Sequence, residues 1–188
     1  MKRFCLSAES FARSAAVLAG VRPLTSPPIT LATFDPRLLD GQDLVTFKLH
    51  GLDGQPYWYG DGGITACSAD QLAQARLPGA LVFVANCWGG AQSPMIQALL
   101  AAGAAAIVTG EGLNFAGVRQ IDGADVLGYV WRHMVELGFD AETGLRLGKI
   151  MARYRRPRLK ADIASFGLIG NPAAKLRKEN DYVGTSES

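Results

Sequence analysis

Two histidines and three cysteines are all the chain offers to chemistry that needs an imidazole or a thiol. One of each stands in a suggestive setting. Leu44-Val45-Thr46-Phe47-Lys48-Leu49-His50-Gly51 and Leu81-Val82-Phe83-Val84-Ala85-Asn86-Cys87-Trp88-Gly89-Gly90 each carry an apolar, strand-like block into a reactive side chain with glycine close behind it. A free thiol, with a pKa of about 8.5, is mostly protonated at neutral pH; an adjacent imidazole raises its reactivity by taking the proton or stabilising the thiolate. Glycine at such a point lets a substrate backbone approach closely, and N–H groups there can stabilise a developing oxyanion. Taken singly, each residue has a plainer reading: the cysteine as a small core hydrophobe, the histidine as a hydrogen-bonded strand end. Their joint occurrence at matching strand ends favours a dyad. His133, between Val130 and Met134 at helical spacing, reads as a helix residue, and Cys5 and Cys67 read as structural. Trp88 either walls a pocket or covers the end of the sheet.

The dyad requires two neighbouring parallel strands, and the pattern along the chain supplies them. Short apolar runs alternate with helical periodicity, the signature of a mostly parallel sheet covered by helices. Strands are expected at Arg3 to Ser7, Ile29 to Phe34, Leu44 to Leu49, Ala80 to Ala85, Ala104 to Thr109 and Ala164 to Ile169, with turn formers at their starts. Helices are expected at about Glu9 to Leu18, from a capping box at Ser68 to Gln71 through Ala75, and over Gln92 to Ala102, Asp125 to Leu137 and Glu142 to Tyr154. Sequential strands commonly pair, which brings His50 and Cys87 out side by side at one sheet edge. Two segments without clear periodicity, Gly51 to Gly63 and Gly110 to Gly123, emerge at the same edge, where ligands bind in open α/β sheets.

Composition narrows the classes further. A chain of 188 residues with 48% hydrophobic residues suits one compact domain, expected over 1–176, followed by a polar, frayed tail over 177–188. Bulk disorder and membrane spans are excluded by the apolar content and by the lack of an uninterrupted run of about 18 apolar residues. A formal charge of +2 excludes a strongly basic nucleic-acid binder, and the basic run from Arg153 to Lys160 reads as a solvated helix end. Lys2 and Arg3 open the chain as a secretory signal would, but Glu9, Ser10 and Arg13 interrupt the apolar segment that must follow. An odd number of cysteines without CxxC spacing points to a reducing, cytoplasmic setting and to no metal. No cofactor is implied.

The order strand–His–Gly and then strand–Cys resembles the caspase-like cysteine peptidases of clan CD, and is most similar to CHAT and gingipain-like domains. Pro94 to Thr109 is similar to the helix and strand that follow the nucleophile there. Phe166 to Leu176 resembles their C-terminal segment, with Asn171 where an aspartate is usual. The likeness runs over about residues 43–176. It implies a three-layer α/β/α sandwich with a mostly parallel central sheet, acting as a cysteine endopeptidase on a peptide or protein substrate. It also implies Cys87 as nucleophile, His50 as general acid/base, the backbone N–H groups of Gly51 and Cys87 as oxyanion hole, and a thioester acyl-enzyme. Some members that cleave after Lys or Arg carry an acid two positions before the nucleophile, which here is Ala85; Asp53 or Asp61, in the first long loop, is the other source of a carboxylate, although Asp-Gly pairs read first as surface turns. A catalytically inactive binding module of the same fold is the alternative. A glutamine-amidotransferase-like elbow at Asn86 to Gly90 requires a later histidine, and only His133 follows.

Overall fold

The computed structural model describes residues 1–177. Past Arg177, the expected polar tail lies outside the described residues. Six strands form the central sheet: β1 (Arg3–Ala8), β2 (Leu24–Ser26), β3 (Leu44–Lys48), β7 (Leu81–Val84), β8 (Ala106–Gly110) and β9 (Phe166–Gly170), in the order β2-β1-β3-β7-β8-β9. All neighbours are parallel except β8 and β9. Between β3 and β7 the chain forms a small antiparallel sheet of β4 (His50–Gly51), β5 (Tyr57–Tyr59) and β6 (Thr65–Ser68).

Strand alternation builds the layers. Val45, Phe47, Val82 and Val84 share one core with Trp58, Leu72 of α2 (Ala69–Ala73), and Met95, Ile96 and Leu99 of α3 (Pro94–Ala101). Leu44, Leu81 and Phe83 share the opposite core with Leu18 of α1 (Ala12–Ala19), Leu127 and Trp131 of α4 (Ala124–Glu136), Leu145 of α5 (Ala141–Arg155) and Ile163 of α6 (Lys160–Ser165). β7 is therefore apolar on both faces and reads as a continuous run, while β3 is interrupted on its second face by the buried Thr46 and Lys48. Each fully buried side chain of Leu or Phe size contributes about 1.5–3 kcal/mol against exposure. The result is a three-layer α/β/α sandwich. Among the described residues, no helix is long and apolar enough to cross a membrane.

Local signals are visible at several joints. Ser68 and Gln71 close the expected capping box on α2, with Ser68 Oγ accepting from Gln71 N–H at 3.2 Å and Gln71 Oε1 from Ser68 N–H at 3.1 Å. Pro94 begins α3, where its missing N–H costs nothing. The expected strand Ile29 to Phe34 is instead a turn, in which Phe34 N–H donates to Thr30 O at 2.8 Å and Thr30 N–H to Thr33 Oγ1 at 2.9 Å. Pro27 and Pro28 lack the N–H groups that would continue β2 through this region, and the threonine hydroxyl offers the backbone a local alternative. The Gly51 to Gly63 segment, expected to be irregular, holds β5 and part of β4. Those strands are too short to show a period, and their pairing is set by partners elsewhere in the chain.

Candidate active site

The pairing of β3 with β7 sets Leu44 opposite Leu81 and Phe47 opposite Val84. Beyond it the two segments stay joined, with Ala85 N–H donating to Phe47 O at 2.9 Å. The strand ends are stitched together by Asn86, a fully buried residue whose Oδ1 accepts from Leu49 N–H at 2.7 Å. Gly51 is then pressed against the Cys87 backbone: a β-carbon on Gly51 would lie 2.1 Å from Cys87 O. Only a residue without a side chain permits this approach.

His50 pairs with Tyr59 across the β4–β5 ladder, and its side chain is half-exposed. Nε2 lies 3.6 Å from Asp61 Oδ1, while the Phe11 ring packs 5.2 Å from the imidazole. Asp61 is itself held by Ser10, whose N–H and Oγ donate to the carboxylate at 2.6 and 2.7 Å. Burial raises the Asp61 carboxyl, but the two Ser10 bonds and the nearby His50 outweigh it and hold the group below the usual carboxylate range. An imidazole seated between an ionised carboxylate and a ring has few orientations left to it. Sequence reading had met Asp61 only as a turn residue or a source of negative charge; its contact with His50 needs the hairpin to fold back.

Cys87 is half-buried at the end of β7. Its Sγ accepts from Asn114 N–H at 3.3 Å, and Asn114 O lies 3.8 Å from the sulfur. Directly after it, Trp88 adopts a left-handed φ of 58°, a conformation that L side chains avoid and that tends to persist at functional sites. The turn is fixed by Trp88 N–H to Gly112 O at 2.8 Å and Gly89 N–H to Gly110 O at 2.9 Å. Gly89 is required here, since a β-carbon would meet Thr109 Oγ1 at 1.9 Å. Asn114, which also donates to Asn86 O, belongs to the irregular segment after β8.

The other thiols are of a different kind. Cys5 and Cys67 are 2% and 0% exposed, and burial pushes the Cys5 thiol up to about 12 and that of Cys67 strongly upward, so neither forms a thiolate at neutral pH. His133 faces Tyr129 O with Nδ1 at 2.8 Å on α4. Two clefts open at residues near the site, one at His50 and one at Trp88, and Cys87 lines neither. One of about 380 Å³ is lined by His50, Leu52, Tyr59 and Gly60; the other, of about 470 Å³, by Asp53, Trp88, Gln92, Ser93 and Glu111. Ala85 is buried, so the carboxylates of the second cleft come from loops.

Phe115, next to Asn114, directs its N–H at the Asp162 carboxylate, 3.4 Å from both oxygens. Burial pushes the Asp162 carboxyl up to about 6. Its ionised form is thus disfavoured by folding. That cost is absent below the ordinary carboxylate range, grows from about pH 4 to pH 6, and is complete above. Asp162→Asn is accordingly expected to melt with the parent near pH 4 and a few degrees above it near pH 7.5. The gain is on the order of 1 kcal/mol once solvent screening of this half-buried group is allowed for. Coincident melting curves at the higher pH would contradict this.

The chain matches no protein-family model and no curated protein. Among solved structures it resembles the Arg-specific cysteine proteinase gingipain R, with a TM-score of 0.70 and 12% identity over 94% of this chain and 47% of that one. It matches the complex of Porphyromonas gingivalis RgpB pro- and mature domains with a TM-score of 0.68 and 10% identity, covering 94% of this chain and 48% of that one. A third structure, described only as a protease, gives 0.57 at 11% identity over 93% of this chain and 48% of the other. The chain therefore spans about half the length of these neighbours and shares their caspase-like fold.

Proposed function

We propose that the chain is a clan CD cysteine peptidase of gingipain-like type, with Cys87 as nucleophile and His50 as its acid/base partner. The observation that carries the reading is the seating of Gly51, the residue after His50, against the Cys87 backbone, where a side chain would force the two segments apart. In this reading His50 takes the Cys87 thiol proton as the sulfur attacks the substrate carbonyl carbon, and the N–H groups of Gly51 and Cys87 receive the developing oxyanion. The C–N bond breaks as His50 delivers a proton to the leaving amine. Water, deprotonated by His50, then cleaves the thioester and regenerates the thiol. Asp61 holds the imidazole in orientation.

Peptide or protein is the substrate class, supported by the proteinase fold of the solved neighbours. All three cysteines are free thiols, which supports a reducing, cytoplasmic setting. The test is covalent labelling with a peptide chloromethyl ketone, read by mass spectrometry of the intact protein. One adduct is expected, on Cys87, with chloride displaced by sulfur, and none in Cys87→Ala. A parent that labels equally at Cys5 or Cys67, or that cleaves no peptide from a library under reducing conditions, would favour the inactive binding module instead.

A further inference from the structure

Two buried charges near this site take no part in the hydrolysis described. Lys48 and Asp125 are 1% and 0% exposed, and Lys48 Nζ lies 2.7 Å from Asp125 Oδ1. Burial works against both charges, drawing Lys48 down and pushing Asp125 up, and each partner opposes the other's shift. Replacing such a pair by packed apolar side chains is often neutral or stabilising, so stability alone does not account for it.

Its hydrogen bonds show what it grips. Lys48 Nζ donates to Ser14 Oγ at 2.6 Å and to Gly117 O at 2.7 Å; Asp125 Oδ2 accepts from Gly117 N–H at 2.7 Å and Asp122 N–H at 3.2 Å. Both backbone groups of Gly117 are thus held between the two charges. Three residues before Gly117 stands Asn114, whose N–H donates to Cys87 Sγ. On the other side, Lys48 precedes His50 by two residues, and the Phe11 ring lies 5.1 Å from Nζ and 5.2 Å from the imidazole. The pair anchors the segment that contacts the sulfur to the strand that delivers the histidine.

We infer that Lys48 and Asp125 are positioning residues that hold the Asn114 N–H on the Cys87 sulfur, so that the loop after β8 stabilises the thiolate. This rests on the reading of Cys87 as nucleophile. The Asn114 N–H at 3.3 Å favours the charged sulfur, as hydrogen bonds to an ionised group do, and it is the shorter of the two contacts, the thiol donating to Asn114 O at 3.8 Å. The titratable side chains of the neighbouring segments are His50 of β4, Asp53 and Glu111, which share a cleft with Trp88, and Asp162 of α6, which faces Phe115 N–H; none of them is substituted when the buried pair is changed.

The experiment is the pH profile of Cys87 alkylation by iodoacetamide in Lys48→Met/Asp125→Leu, with melting as the check on folding. Cys5 and Cys67 serve as internal reporters. Losing Lys48 makes Cys5 still less reactive, so labelling there would reveal a loosened fold. The expected result is a native melting transition, no labelling of Cys5 or Cys67, and Cys87 alkylated about tenfold more slowly near pH 7. Should the double variant fail to fold, Gly117→Ala decides. It keeps both charges but must shift the loop, because its β-carbon would lie 1.6 Å from Gln120 O. The same slowing is expected. A parental profile in whichever of the two variants folds overturns the inference. Alkylation reads the sulfur and not peptide hydrolysis, so a protein that cleaves no peptide fails the peptidase reading without deciding this one.

Discussion

Gly51→Ala is expected to destabilise the fold by about 1–3 kcal/mol and to cut the reaction of Cys87 with electrophiles sharply. The new methyl group would lie 2.1 Å from Cys87 O and 3.6 Å from Asn86 Cβ. The first neighbour is backbone, not the end of a flexible side chain, so the two segments must move apart. The separation falls between the residues proposed to react, where a displacement on the order of 1 Å costs about a hundredfold in rate. Gly112→Ala is the matched control: nothing lies within 4 Å of its β-carbon, and its loop adjoins the same site. Thermal melting and chloromethyl ketone labelling of both variants check the claim. Equal behaviour of the two would remove Gly51 from the argument.

His50→Ala is expected to slow peptide hydrolysis by about 10²–10⁴-fold, the range that a positioned acid/base supplies, with little loss of stability because the side chain is half-exposed. Asp61→Asn should cost less, roughly tenfold, since the amide oxygen still accepts from Ser10 while the carboxylate that orients His50 is lost. The two substitutions combined should cost little more than His50→Ala alone, because Asp61 acts through the imidazole. Values of kcat/KM for the three variants give the answer. A His50→Ala variant with parental kcat/KM would sink the dyad.

Several features of the fold were legible because they are local. Apolar runs marked β3 and β7, Ser68 and Gln71 marked the start of α2, and Pro94 marked that of α3. The turn at Thr30 to Phe34 was not legible as such, because Ile29, Leu31 and Phe34 satisfy a strand pattern that Pro27, Pro28 and the threonine hydroxyls override. The β4–β5–β6 sheet was hidden for a related reason: strands of two to four residues have no period of their own. They exist by pairing with one another and by burying Trp58, whose ring lies 4.7 Å from that of Phe47.

At the site, the chain order His50-Gly51 then Cys87, each after an apolar block, singled out the pair of residues. That is information carried by side-chain type and by neighbours a few positions away. What surrounds them came from contacts across long stretches of chain: Ser10 with Asp61 over 51 residues, Asn114 with Cys87 over 27, and Ser14 with Gly117 over 103. Sequence by itself thus determined which thiol and which imidazole are candidates and that strands deliver them. Only the tertiary structure decided the β3–β7 register, the approach of Gly51 to the Cys87 backbone, the carboxylate that faces His50 and the buried ion pair that ties the loop down. Register and burial are properties of packed layers, where a one-residue slip would turn every side chain to the other face, and no local pattern encodes them.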